Sequence, residues 1–146
     1  MCAIDGGVMV FGGRKSPSCP LNDCWFMDLQ TNTWTEIPLP STCPSPRWNC
    51  GITAINNHVA VLYGGRNDQT VFGDCWSVFI KRNHNSQIEC KWFLLYDTDN
   101  SIYNNNPSPG YCFSPIVLPV CRNDSCDEVI IWSGMKTLLG ECMIYE

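Results

Sequence analysis

Val59-Ala60-Val61-Leu62-Tyr63-Gly64-Gly65, followed by Gly73-Asp74-Cys75-Trp76, is the stretch that decides how the chain folds. A short unbroken apolar run reads as a strand covered on both faces. The glycine pair marks the place where the backbone turns with no room for a Cβ. The same grammar occurs twice more. Val8-Met9-Val10-Phe11-Gly12-Gly13 precedes Asn22-Asp23-Cys24-Trp25, and Val129-Ile130-Ile131-Trp132-Ser133-Gly134 precedes Gly140-Glu141-Cys142-Met143. The acids Asp23, Asp74 and Glu141 are separated by 51 and 67 residues. A recurrence of roughly 50 residues built from short strands is the period of propeller blades, each a four-stranded antiparallel sheet.

Composition agrees with an all-β reading. Of 146 residues, 45% are hydrophobic, 12% aromatic and only 16% charged, which places the chain among packed domains rather than disordered ones. The net charge is −5, and no run of Lys or Arg exceeds two residues. Nucleic-acid binding by phosphate neutralisation wants a basic face, so this segment is not expected to supply one by itself. No window approaches the ~18 apolar residues of a membrane span. The start lacks the basic region and apolar core of a signal peptide, so a cytosolic or nuclear address is expected. The 11 cysteines are odd in number, and several sit inside apolar runs (Cys2, Cys24, Cys50, Cys75). They are expected to be reduced thiols acting as small buried hydrophobes.

Alternation and turn signals place the strands. In the first unit, Asp5-Gly6 forms a hairpin, with strands over Val8 to Phe11, Cys24 to Leu29 and Thr33 to Ile37. In the second, Trp48 to Ile55 is the innermost strand and Asn56-Asn57 turns the chain through positive φ. Val59 to Tyr63, Cys75 to Ile80 and Cys90 to Tyr96 follow, with a polar loop over Lys81 to Gln87. The linker Asp97 to Pro109 leads to a third unit with strands over Tyr111 to Val120, Glu128 to Trp132 and Glu141 to Tyr145. The organisation is then the end of one blade (1–40), a complete blade (41–97) and a partial, degenerate blade (98–146). A propeller closes with about four to eight blades. The chain is therefore expected to be part of a longer polypeptide or to assemble with a partner that supplies missing blades.

Gly12-Gly13, Asp23, Trp25, Asp28 and Trp34, then Pro46-Arg47, Gly64-Gly65, Trp76 and Trp92, resemble the kelch repeat, weakening in the third unit where Ser133-Gly134 and Met143 stand. Within that family, Gly12 to Pro17, Leu21 to Asp28 and Thr33-Trp34 are similar to the C-terminal propeller of the tRNA wybutosine-synthesizing protein 4 group, the leucine carboxyl methyltransferase 2 family. Gly64-Gly65-Arg66 repeats the likeness. That resemblance implies a propeller joined to an S-adenosylmethionine-dependent methyltransferase domain acting on the hypermodified guanosine beside the anticodon of phenylalanine tRNA. No strand here leads into a Gly-rich cofactor loop, so no catalytic or cofactor-binding residue is assigned and no cofactor is expected.

Other chemistry finds little support. Cys19-x4-Cys24 and Cys121-x4-Cys126 lack the further ligands of a zinc site, so no metal is expected. His58 and His84 fall in separate surface loops, which leaves a cysteine nucleophile without a base. Asp23 and Asp74 recur because the blade recurs, each placed to accept hydrogen bonds or pair with an arginine. Trp25, Trp34, Trp76 and Trp92 read as blade-packing residues worth ~3–5 kcal/mol each when buried. Function is expected on the loops, where Arg14, Lys15, Arg66 and Asn67 share the rim between second and third strands as donors for a carboxylate or phosphate. The expected activity is non-catalytic: a protein-interaction or scaffold module, with tRNA touched only indirectly if at all. The alternative is the substrate-recognition propeller of an F-box or BTB ubiquitin-ligase adaptor.

Overall fold

A computed structural model of the chain describes residues 1–83 and 87–97, with three further strands described by their backbone over 116–122, 125–133 and 141–145. The fold is all-β, the architecture of a partial propeller, and the described residues contain no helix. The first sheet runs β1 (Cys2–Ile4), β2 (Gly7–Ser16), β3 (Cys19–Asp28), β4 (Thr33–Glu36) in spatial as in chain order. The second repeats this with β5 (Gly51–Ala54), β6 (Val59–Tyr63), β7 (Cys75–Arg82) and β8 (Ile88–Tyr96). The third holds β9 (Ile116–Arg122), β10 (Ser125–Ser133) and β11 (Glu141–Tyr145). All pairings are antiparallel. The first strands of the sheets neighbour one another, β1 against β5 and β5 against β9, as innermost strands around a common axis do. His84, the linker beyond Asp97, the start of the strand expected from Tyr111, Gly134 and Gly140 lie outside the described residues.

Local chemistry explains most turns. Asp5 and Gly6 take φ of 50° and 71°, the two positive values of a primed hairpin turn. At the β3–β4 turn the Asp28 carboxylate accepts hydrogen bonds from the backbone N–H groups of Gln30 (2.8 Å) and Thr31 (3.1 Å), and Asn32 closes the turn at φ 55°. The Asn56-Asn57 hairpin departs from expectation, since neither residue has positive φ. Asn56 instead accepts at Oδ1 from the N–H groups of His58 and Val59, so a side-chain turn replaces the primed one. The first glycine pair also behaves differently from the second. Gly64-Gly65 ends β6, whereas β2 and β3 continue past Gly12-Gly13 to Ser16 and Cys19, absorbing the irregularity as bulges.

One core fills the space between the first two sheets. Met9, Phe11, Cys24, Phe26 and Ile37 of the first pack with Ala60, Leu62, Trp76, Val78, Ile80, Cys90 and Trp92 of the second. Phe11 and Trp92 meet across the seam at 4.8 Å between ring centroids. Along β6, Val61 and Tyr63 alternate out of this core into a second cluster with Cys75, which is why the run is apolar at every position. Trp34 corrects the expectation of four packed tryptophans. It is 52% exposed, against 4% for Trp92 at the equivalent strand position. The cause is neighbourhood: β4 and β8 are both outer strands, but Trp92 packs against Phe11 of the first sheet, whereas β4 is exposed at all four residues with no sheet against Trp34 among the described residues.

Two arginines bind the sheets together. Arg47, fully buried, is a rivet. Its backbone N–H donates to Leu21 O (2.9 Å) and its carbonyl accepts from Gly13 N–H (2.8 Å), both in the first sheet. Its guanidinium reaches the second blade, donating to both Asp74 oxygens (2.5 and 2.9 Å) and to Gly64 O (3.0 Å), above the Phe72 ring. Arg82 of β7 donates to Asp28 across the seam at 2.7 Å and lies 3.7 Å from Asp5, stacked over Phe26. These contacts hold the Asp28 carboxyl below its usual range, first through the Arg82 hydrogen bond and then through the turn N–H groups.

Candidate functional site

The rim next to the Arg47 rivet brings residues of three segments together. Arg14 comes from the continued part of β2, Trp48 and Asn49 from the segment after Arg47, and Arg66 from the loop after Gly64-Gly65. Trp48 and Arg66 exchange two backbone hydrogen bonds of 2.9 Å, Trp48 N–H to Arg66 O and Arg66 N–H to Trp48 O. Gly65 makes this approach possible: a Cβ there would sit 2.9 Å from Trp48 O, and its φ of 95° is closed to other residues. Gly12 has the same role toward Arg47, where a Cβ would meet Arg47 O at 2.6 Å and Leu21 O at 2.9 Å. The recurrent glycines therefore let one segment thread between two blades.

The geometry that results is a buried indole flanked by two guanidiniums. Arg14 Cζ is 5.4 Å and Arg66 Cζ 5.7 Å from the Trp48 ring, within the reach of cation–π attraction. Arg66 Nε also donates to Asn67 O at 3.3 Å. The three residues, with Pro17, Asn49 and Asp68, line a cavity of about 420 Å³ open to solvent. Of the four expected rim residues, Arg14 and Arg66 converge here. Lys15 is exposed on β2 but is not in the lining. Asn67 is not in the lining, and its Oδ1 shapes its own loop, accepting from Gln69 N–H (2.9 Å) and Thr70 N–H (2.6 Å). Trp48, placed by the sequence inside the innermost strand, instead precedes β5 and forms the floor of the site.

Of the three repeated acids, Asp23 and Asp74 have described side chains, and each holds an indole N–H. Asp23 accepts from Trp25 Nε1 and Asp74 from Trp76 Nε1, both at 2.7 Å, and Asp74 also carries Arg47. Among the described residues the thiols of Cys2, Cys19, Cys24, Cys43, Cys50, Cys75 and Cys90 are free, and no three His, Cys, Asp or Glu groups gather as a metal set. Burial pushes the Cys2 thiol up to about 11 and Cys75 up to about 12. Cys24 is raised further by its hydrogen bond with Cys90, together with burial. These are thiols unsuited to nucleophilic attack at neutral pH. No helix of the described residues is long and apolar enough to cross a membrane.

Comparison with known proteins places this arrangement. Residues 1–94 match the family model described as the KLHDC2/KLHL20/DRC7 Kelch-repeats domain. The chain belongs to this kelch-repeat family. The chain is also similar to parts of proteins of different description. A tRNA wybutosine-synthesizing protein 4 of Eremothecium gossypii is 35% identical over 69 residues, which is 47% of this chain and 10% of that protein. Host cell factor 2 of Homo sapiens is 28% identical over 123 residues, 76% of this chain and 15% of that protein. The flagellar outer-arm dynein alpha chain of Chlamydomonas reinhardtii is 24% identical over 131 residues, 89% of this chain and 3% of that protein. The kelch chain thus spans at most 15% of the length of these three relatives. A kelch-repeat domain of this kind points to a protein-interaction module.

Proposed function

We propose that this kelch segment is a non-catalytic docking module whose binding face is the rim carrying Arg14 and Arg66. The observation that carries the reading is convergence: guanidiniums from two successive blades flank one buried indole over a concavity. Propeller loops are the variable part of a rigid scaffold, so a preorganised cluster there reads as a recognition site. The segment works within a longer protein of the cytosol or nucleus resembling a tRNA wybutosine-synthesizing protein 4, where the propeller holds a partner or a neighbouring domain in place. Its net charge of −5 favours protein over tRNA as the directly touched partner.

A photo-crosslinking side chain at Ser18, the exposed tip beyond Arg14, tests the docking reading in cells expressing the complete polypeptide that carries this segment. Crosslinks to a discrete set of proteins are expected. Crosslinks to RNA alone, or to no protein and no neighbouring domain of the polypeptide, would overturn it. Nucleoside analysis of phenylalanine tRNA from cells lacking the gene tests the longer-protein reading, which expects the fully modified guanosine to disappear and fails where it persists.

A further inference from the structure

We infer that the Cys90 thiol, at the floor of a cavity between the first two blades, is a site where hydrogen peroxide oxidises this chain to a sulfenic acid. The site is separate from the rim and does not rest on the docking reading. The cavity measures about 460 Å³ and lies where Pro38, Leu39 and Pro40, beyond β4, face the start of β8. Cys90 is only 7% exposed, yet it lines this space, and hydrogen peroxide is little larger than water. Glu36 and Glu89, both exposed, also line the cavity. Their charges disfavour anionic oxidants and leave a neutral peroxide free to enter. Two buried groups set this thiol apart from mere packing. Cys24 of β3, fully buried across the seam, is hydrogen-bonded to the Cys90 sulfur. Trp92, two residues along β8 from Cys90, buries an indole Nε1–H that has no acceptor in the reduced protein.

The thiolate is the attacking species, and these neighbours favour it at Cys90. The hydrogen bond from Cys24 holds the Cys90 thiol below its ordinary value, against burial and with help from the Trp92 N–H. The pair therefore gives up its first proton at Cys90 while Cys24 keeps its own. Burial pushes the Cys2, Cys43, Cys50 and Cys75 thiols up, so none of these competes. In the reaction the Cys90 sulfur bonds to one peroxide oxygen as the O–O bond breaks. The hydroxide released takes up the proton that Cys90 lost and leaves as water. Sulfur loses two electrons and the peroxide gains them. The new oxygen is the acceptor that the Trp92 N–H lacks. Its O–H takes over from the S–H that Cys90 offers to Pro38 O at 3.9 Å. Attack of the Cys24 thiol on the sulfenic sulfur, releasing water, would then cap the pair as a disulfide across the seam.

The test treats the complete polypeptide with hydrogen peroxide at pH 7 together with dimedone, which traps sulfenic acids, and maps the adducts by peptide mass spectrometry. The adduct is expected at Cys90 ahead of the exposed Cys19, and not at Cys24 or Cys75. A Cys24–Cys90 disulfide in wild type, replaced by the Cys90 adduct in Cys24→Ser, supports the inference equally, because that disulfide passes through the sulfenic acid. Cys24→Ser keeps a donor beside Cys90 and should leave the rate of Cys90 oxidation within about twofold. Cys24→Ala removes the donor and should slow it on the order of tenfold, the effect of about one pKa unit. Trp92→Phe keeps a ring against Phe11 and removes the N–H, and should slow it several-fold. Melting curves separate these effects from unfolding, which would expose Cys24 and Cys90 alike and speed both. Labelling of Cys19 with Cys90 untouched, an adduct at Cys24 instead of Cys90, or equal rates in the Cys24→Ser and Cys24→Ala variants would each overturn the inference.

Discussion

Replacing Arg47 by Met removes a fully buried guanidinium while keeping most of the side-chain volume. Four hydrogen bonds go: to Ser45 O, to Gly64 O and to the two Asp74 oxygens. Adding up charged hydrogen bonds would exaggerate the loss, because the arginine also gave up its hydration on burial. What remains is Asp74, its side chain 14% exposed, stripped of its cation and left with only the Trp76 N–H. Breaking a buried pair from one side costs roughly 3–5 kcal/mol, a large part of the about 5–15 kcal/mol of a typical domain. The backbone bonds from Arg47 to Leu21 and Gly13 survive the substitution, so the blades stay in register and the loss concentrates on the second blade. Urea unfolding followed by tryptophan emission should show a midpoint lowered by more than about 1 M at ordinary m-values. Adding Asp74→Asn should recover much of the loss, since Asn Oδ1 still accepts from Trp76 while the orphaned charge is gone. A single variant within about 1 kcal/mol of wild type, or a double variant no better than the single, would refute the reasoning.

Gly12→Ala is expected to cost at least about 2 kcal/mol, because φ of 63° opposes any Cβ and that Cβ would meet two backbone oxygens that hold the seam. Thermal denaturation measures it. Trp92→Ala should cost roughly 3–5 kcal/mol, whereas Trp34→Ala, at the same repeat position on an open edge, should cost no more than about 1 kcal/mol. Equal losses would mean that the β4 face is covered. Alkylation of the folded protein at pH 8 should label exposed Cys19 and spare Cys24 and Cys75, whose thiols stay protonated. Peptide mass mapping reads the pattern. The Asp28–Arg82 link is present above the ordinary aspartate range and should be lost as pH falls through the lowered Asp28 value, so wild type loses more stability below about pH 4 than Asp28→Asn does.

The blades were legible because their determinants are local. The unbroken apolar run of β6, the Asp5-Gly6 turn and the recurring Asp-x-Trp all act within a few residues, and each appears where the pattern put it. Non-local competition hid the rest. Asn56 reads as a positive-φ turn until its side chain finds two backbone donors. Trp34 and Trp92 are the same residue at the same repeat position, and only the presence of a neighbouring sheet separates them. At the rim, Arg14 and Arg66 announce themselves as loop cations. Trp48 does not, because an aromatic after Pro46-Arg47 looks like strand packing. The missed signal was the second glycine pair: a steric demand at Gly65 requires something close by, and that something is Trp48.

The rivet and the rim are consecutive residues, and this ties specificity to stability. Arg47 fixes the seam through its side chain and backbone, and Trp48, next in sequence, inherits that fixed position and carries both guanidiniums. Arg14 approaches from the first blade and Arg66 from the second, so their separation measures how the two blades are set. Loosening Arg47 should therefore blur the rim before it unfolds the blades. Arg47→Met would then weaken the Ser18 protein crosslinks at temperatures where the tryptophan emission of the folded state is unchanged. A rim that kept its full crosslinks in that variant would mean its geometry is set by the loops alone, with Trp48 held by Arg66 and Gly65 rather than by the seam.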